Sequence, residues 1–351
     1  MINSKYLKRE IPNFFVLDGK SIEDKDSWEI KRNELKRLFL AEEYGERPSL
    51  AYSVTSEEQG INFAGKARWE SVFFKFEGNG ESHTVRCELV LPRVKMKSPV
   101  FVFANFSPSV PDKYLPTEEI IDSGFGVFSF YYEDVTKDNN DFTDGLCKLI
   151  SFETGKISIW SYMASTCMDY LCTRDDVDKS NVAIVGHSRL GKTALLTSAL
   201  DERFKLTCAN ESGCCGASIS RDKRKENESL EDITRVFPQW FCKSFSKYIS
   251  APNSLPFDQH MLLALIAPRY LVVGGALEDV WADNEGQLLA CSLSAKAWSF
   301  YGKRGLSYDA KEDNQSAGVA FYMREGSHFM SRFDWQVYMR KFREIIEEEQ
   351  R

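Results

Sequence analysis

Apolar and polar positions change period several times along the chain, and each change marks an element. Over residues 26–44, Trp28, Ile30, Leu35, Leu38 and Phe39 fall on or near one side of a helical projection and Lys, Arg and Glu fill the rest, which predicts an amphipathic helix. Residues 51–56, 66–76 and 83–91 alternate or run apolar and are closed by Pro92, as in an antiparallel, hairpin-rich start. At 99–106 (PVFVFANF) and 126–132 (GVFSFYY) the runs become continuously apolar, which suits parallel strands covered on both faces. A helix over about 156–172 sets Ile157, Trp160, Ala164, Cys167 and Leu171 three or four apart and leads into an apolar strand at 182–187. Strands at 206–209, 270–274 and 319–324 alternate with helices at 259–267, about 284–300 and a C-terminal helix carrying Trp335, Tyr338, Phe342 and Ile345 on one face. Only 217–257 loses periodicity. Its Arg221, Lys223, Arg224, Lys225, Glu226 and Glu228 predict a solvated surface insertion or lid around Phe237-Pro238-Gln239-Trp240-Phe241.

This order is that of an α/β protein. No Pro/Gly/Ser-rich linker and no internal repeat interrupts it, so residues 1–351 read as one domain, with an N-terminal helix and strands over about 26–92 and the insertion at 217–257. Hydrophobic residues at 43%, with 25 Phe and 7 Trp, supply ample apolar surface for a core. A net charge of −7 without any basic block argues against nucleic acid or an anionic membrane as partner and favours a neutral or modestly charged ligand. Nine cysteines scattered from Cys87 to Cys291 without C-x-x-C spacing read as free thiols, and no metal or cofactor is expected. Residues 1–15 hold no apolar run of signal-peptide length and no stretch of about 18 apolar residues occurs. The expectation is a soluble, cytoplasmic monomer, or a secreted or periplasmic one if a leader has been removed.

The chemistry concentrates at 182–192, Val-Ala-Ile-Val-Gly-His-Ser-Arg-Leu-Gly-Lys, where a strand stops at Gly186 and a helix begins near Arg189. Glycine on both sides keeps such a turn free of side-chain clash and exposes the Ser188 hydroxyl above the sheet. The string departs from G-x-S-x-G, because Leu190 stands where the second glycine is usual and Gly191 follows one residue later. Arg189 and Lys192 occupy the first helical turn, where the dipole is already positive and each cation costs roughly 0.3–1 kcal/mol. Two cations in that place suit a site that stabilises developing negative charge or binds a polyhydroxy ligand.

An activated serine needs a base, and the chain has four histidines. His83 lies in the early hairpins, His187 should point away from Ser188, and His260 opens a helix. His328, in Gly326-Ser327-His328 after the last strand, occupies the place where an α/β-hydrolase keeps its base. The acid that fixes its tautomer is Glu211, after the 206–209 strand, or Asp279, after the 270–274 strand; Glu278 is a weaker third choice.

Over roughly residues 95–340 the chain resembles the glucuronoyl esterases, carbohydrate esterases that cleave the ester between glucuronic acid on xylan and lignin alcohols. The resemblance rests on Gly186, Ser188, Arg189, Gly191 and Lys192 of G-x-S-R-x-G-K, on Asn210-Glu211-Ser212-Gly213, Phe237-Pro238-x-Trp240-Phe241 and 260–269 (HMLLALIAPR), and on Glu278-Asp279-x-Trp281-Ala282-Asp283 and Gly326-Ser327-His328. It implies an α/β-hydrolase three-layer sandwich with a mostly parallel central sheet. Ser188 becomes the nucleophile, His328 the base and Glu211 the acid, with Asp279 instead or as well in some members. It further implies that Arg189 directs its side chain at the oxyanion and that Lys192, Trp281, Glu228 and Trp240 line a glucuronate ester. The loop 107–111 (SPSVP) departs from the family's glycine- or asparagine-containing turn and histidine, which implies a different substrate rim. A cytoplasmic protein would meet small imported uronate esters rather than polymer. The rival readings are a carbohydrate O-deacetylase such as an acetylxylan esterase, which prefers acetylated xylan to benzyl glucuronate, and a catalytically idle glycan-binding relative, whose Ser188 resists serine-reactive phosphonates.

Overall fold

The two kinds of apolar pattern become two halves of one sheet in the computed structural model, which describes residues 9–307 and 317–351. Strands β1 (Ala51–Asn62), β2 (Ala67–Gly78) and β3 (Glu81–Pro92) form an antiparallel meander. All three run longer than their apolar cores suggest, because polar end residues such as Glu81 and Gly78 keep pairing across the hairpins. β3 pairs antiparallel with β5 (Gly126–Tyr131). From there β4 (Ser98–Asn105), β6 (Val177–His187), β7 (Leu206–Asn210), β8 (Tyr270–Ala276), β9 (Leu306–Ser307) and β10 (Val319–Arg324) are mutually parallel. Among the described residues the order is β1-β2-β3-β5-β4-β6-β7-β8-β10-β9.

Burial on both faces explains the unbroken apolar runs. Val100, Val102 and Ala104 of β4 join one core cluster, while Phe101 and Phe103 between them join the other. The first cluster lies under α1 (Lys25–Phe39), α2 (Lys156–Thr173), α3 (Arg189–Leu200) and α4 (Asn284–Ser294). The second lies under α5 (Arg332–Glu349), whose Trp335, Tyr338, Phe342 and Ile345 are buried as the periodicity requires. The result is the three-layer α/β-hydrolase arrangement. Among the described residues no helix is long and apolar enough to cross a membrane.

Several local readings change. In α1 the buried stripe is Trp28, Arg32, Leu35 and Phe39, and Ile30 faces solvent. Arg32 takes the inner position because its guanidinium donates twice to the Leu265 carbonyl (3.2 and 2.9 Å), satisfying a buried acceptor. α1 ends at Phe39 and continues as a π-helical turn, Leu40–Tyr44. The helix expected over 284–300 is two pieces, Asn284–Ser294 and Lys296–Ser299. Segment 217–257 is the largest revision. Its Ile219, Leu230, Ile233, Trp240, Phe245 and Phe257 belong to the first core cluster. Of the charges expected in solvent, Lys225 and Glu226 are exposed, whereas Arg221 pairs with Asp258 (2.8 Å) and Lys223 with Asp283 (3.1 Å), all four side chains being buried. The described cysteines are all free thiols.

The π-helical turn buries Glu43 completely, and desolvation pushes its carboxyl up to about 8 against the pull of two hydrogen bonds from Gln259 Nε2 (2.9 and 3.0 Å). The unfolded chain releases this proton near 4.5 and the folded chain near 8, so the folded state loses stability as pH rises through that window. Glu43→Gln removes the titration. Thermal unfolding at pH 5 and pH 9 should show a smaller alkaline drop in Tm for the variant than for the parent, by about 2 °C or more; equal drops would show that Glu43 stays charged in the folded protein.

Candidate active site

Four parallel strands end on one rim, and each leads into a loop that carries a polar residue of the candidate site. After β6, Ser188 adopts φ 57°, ψ −125°, a conformation that costs a non-glycine residue about 1–3 kcal/mol and turns its hydroxyl out of the sheet. Gly186 makes the turn possible, since a Cβ there would sit 1.9 Å from the Leu190 carbonyl oxygen. Gly191 has a different task from the one expected: its Cβ position lies 3.0 Å from Ser212 Cβ, so it lets α3 approach the loop after β7. The backbone N–H of Arg189 lies in the first turn of α3, where N–H groups have no intrahelical acceptor.

His328 arrives from the loop after β10, half-exposed, and its Nδ1 faces both candidate acids, Asp279 Oδ2 at 2.6 Å and Glu211 Oε2 at 3.1 Å. Glu211 has other ties. Arg324 Nη2 donates to Oε1 (2.6 Å) and the Phe329 N–H to Oε2 (3.1 Å), so this carboxylate anchors the histidine loop. Asp279 Oδ2 has the shorter bond to the imidazole. Glu278 is exposed, and its backbone N–H bonds to Gly326. Burial lowers the His328 pKa, but the hydrogen bonds that its Nδ1–H gives to Asp279 and Glu211 outweigh it and raise the group to about 9. Glu211 is itself raised, by burial before the opposing bonds to His328 and Arg324.

His187 does not turn away. Its ring lies 4.6 Å from that of His328, and its Nδ1–H donates to Asn210 Oδ1 (2.7 Å). Burial, then the neighbouring His328, drives its pKa down to about 3, so a neutral imidazole backs the charged one. The residue before Ser188 thus packs against His328, which brings the two loops side by side. His83 bonds to the Asp134 carbonyl (2.6 Å), and His260 is buried against Phe14. Among the described residues His187, Glu211 and His328 also bring ligand atoms within 4.8 Å of one another, but Arg324 on Glu211 opposes a second cation there.

Both cations of the α3 turn have partners. Arg189 Nη1 is paired with Asp138 Oδ2, and its guanidinium lies 4.8, 4.9 and 5.7 Å from the rings of Trp240, Phe237 and Phe106. Lys192 is 3% exposed and donates Nζ to the Ser212 carbonyl (2.5 Å), so it offers the site charge rather than an open face. Trp240 is also 3% exposed, stacked on Phe237 with centroids 4.0 Å apart, and it supports Arg189 instead of presenting a surface to ligand. Trp281 is different, at 49% exposure beside Asp279. Two hydrogen bonds bring Glu228 to it: the Glu228 backbone N–H donates to the Trp281 carbonyl (3.0 Å) and the Asn227 side-chain Nδ2 to that of Val280 (2.7 Å).

Known proteins resemble this chain in sequence and fold. The family described as "Glucuronyl esterase, fungi" matches residues 75–302, well over half of the chain. A carbohydrate esterase, MZ0003, from an unknown prokaryotic organism is 31% identical over 95% of this chain and 88% of its own length. The chain belongs to the glucuronoyl esterase family. A 4-O-methyl-glucuronoyl methylesterase of Podospora anserina is 25% identical over 82% of this chain, which spans 60% of that protein. The glucuronoyl esterase from Solibacter usitatus superposes with a TM-score of 0.87 at 29% identity, covering 96% of this chain and 98% of that one. As a member of this family within the α/β-hydrolase superfamily, the chain is a hydrolase.

Two residues of this glucuronoyl esterase family site escape sequence reading. Arg324 ends β10, and its one visible signal is a cation placed just before the histidine loop. Asp138 is one of several acids between 133 and 144, and nothing local sets it apart. The two carboxylates on His328 make a prediction about pH. Because they hold the proton on the imidazole, kcat/KM should rise with pH toward about 9. Asp279→Asn should lower turnover and move that limb down by about 1–3 units, whereas Glu211→Gln, whose charge Arg324 already balances, should move it less. A larger displacement in Glu211→Gln, read from pH–rate profiles, would reverse the two roles.

Proposed function

We propose that this chain hydrolyses esters of glucuronic acid, including its 4-O-methyl form, through an acyl-enzyme. The observation that carries the reading is the His328 imidazole held at Nδ1 by Asp279 and Glu211, with its ring 4.6 Å from that of His187, the residue before the Ser188 elbow. With Nδ1 occupied, Nε2 is the nitrogen left to act as base. It takes the Ser188 proton as Oγ adds to the uronate carbonyl carbon. The carbonyl oxygen becomes an oxyanion facing the Arg189 backbone N–H and guanidinium. The C–O bond to the alcohol then breaks, and the imidazolium returns its proton to that alcohol. Water, deprotonated by the same nitrogen, releases the uronate and restores Ser188.

Trp281 supplies a face on which a pyranose ring stacks, and Glu228 beside it accepts hydrogen bonds from sugar hydroxyls. Lys192 and Arg189 favour a substrate that gains negative charge, as an ester carbonyl does during attack. Small uronate esters and polymer-bound ones meet the same chemistry at this rim.

Arg189→Ala should lower kcat on benzyl glucuronate on the order of 100- to 1,000-fold with folding intact. Retention of full turnover would remove the guanidinium from the mechanism. Run beside acetylated xylan, the same assay separates the readings: faster release of acetate than of benzyl alcohol would make the chain a deacetylase. Labelling of Ser188 by a phosphonate, abolished in His328→Ala, separates a working triad from an idle one.

A further inference from the structure

The guanidinium assigned to the oxyanion is gripped by a carboxylate that the chemistry above does not use. Asp138 lies in the loop after β5 with its side chain 3% exposed, and its two oxygens take three donors. Oδ2 accepts from Arg189 Nη1, while Oδ1 accepts from Gln239 Nε2 (2.9 Å) and Trp240 Nε1 (2.7 Å). A carboxylate so engaged has no room to rotate. The loop that carries it is fixed in turn by Lys156, fully buried in the first turn of α2, whose Nζ donates to the carbonyls of Lys137 and Asp141, both at 2.6 Å, on either side of Asp138. An ammonium in a first helical turn opposes the dipole, so helix formation does not account for Lys156, whereas gathering this loop does.

The geometry around Arg189 has a second peculiarity. Its Nε is buried and has no hydrogen-bond partner among the described residues, although the Nη1 edge is anchored and the planar face is covered by Trp240, Phe237 and Phe106. A buried donor without a protein partner calls for an explanation, and at this place an acceptor that arrives with the substrate supplies one. A guanidinium on a long side chain is an effective oxyanion donor only if it is held before the charge forms.

We propose that Asp138 is a positioning residue for ester hydrolysis: it clamps one edge of Arg189 so that the remaining donors stand ready for the oxyanion formed at Ser188. This rests on the esterase reading above. Two effects oppose each other, since the negative charge of Asp138 weakens the positive potential of Arg189 while the clamp removes the side chain's freedom to turn. The three-donor lock and the aromatic box point to orientation as the larger effect, because a donor counts only when it sits about 2.7–3.1 Å from the developing charge.

A double-mutant cycle over Asp138→Asn and Arg189→Ala tests this, with kcat and KM on benzyl glucuronate as one readout. The second readout is the rate at which a phosphonate without any sugar labels Ser188. Asp138→Asn should lower kcat about tenfold with KM within about twofold, the mark of an interaction made in the transition state. Placed on top of Arg189→Ala it should cost nothing further, since residues acting through one another are non-additive. An unchanged kcat, or an equal loss in both backgrounds, would overturn the proposal, because a merely structural role lowers both alike. Asp138→Glu keeps the charge and should fall between parent and Asp138→Asn. If Asp138→Asn does not fold, the cycle is run with Asp138→Glu and read by the same rule. Failure of the parent to hydrolyse any glucuronate ester would remove the substrate assignment instead, and the labelling cycle would still report the coupling of Asp138 to Arg189.

Discussion

Backbone pairing does not stop where the parallel strands stop. One residue past β6, the Ser188 N–H bonds to the Asn210 carbonyl (2.8 Å); one past β7, Glu211 N–H bonds to Gly274 (2.7 Å); one past β8, Leu277 N–H bonds to Arg324 (2.9 Å), and Glu278 N–H follows to Gly326 (3.0 Å). These four bonds stitch the loops bearing nucleophile, acids and base into a single edge. His328, Asp279 and Glu211, far apart in sequence, thereby meet at hydrogen-bond distances without any one loop having to be stiff by itself. The same stitching makes the site sensitive to strand register, because a one-residue slip would send each group to the opposite face.

Charge at this edge is compensated almost everywhere. Arg324 sits between Glu211 and Asp334, Arg189 meets Asp138, and behind the site Arg221 and Lys223 meet Asp258 and Asp283. Burial demands it, since an unpaired ion taken out of water is far more costly than a paired one. The segment that looked like a solvated flap is therefore a packed wall, and its charged residues are joints. His328 is the exception in kind. Its two carboxylates face one titratable ring, whose charge follows pH.

What the sequence reveals and what it conceals divide along a physical line. Ser188, His328 and the parallel strands are legible because their signals are local: apolar runs of strand length, a strand that turns at Gly186, a histidine just past the last strand. Glu211 and Asp279 are legible as positions but not as contacts, since adjacent strand ends bring both within reach of one nitrogen and only coordinates distinguish the anchor from the closer partner. Arg324 and Asp138 are concealed because each draws its meaning from residues distant in the chain. In α1 an apolar reading favours Ile30, yet the inner place belongs to Arg32, for which a distant carbonyl at Leu265 is waiting. His187 is misplaced for a related reason: alternation along a strand says which face a residue takes, not that a neighbouring loop will fold over to meet it.

The short stretch from Ala276 to Asp283 carries both Trp281 and Asp279, and it is tied at every step. Asn284 Nδ2 holds the carbonyls of Ala276 (2.7 Å) and Asp279 (3.3 Å), and Asp283 is pinned by Arg9 and Lys223. On the proposed reading, recognition at Trp281 and proton transfer at His328 are thus built on one knot rather than on a hinged cover. Such a knot has little freedom left to surrender when a sugar is seated, so the enzyme selects among ligands by fit to a surface already formed, and a ligand that displaces Trp281 disturbs the grip on the imidazole in the same motion.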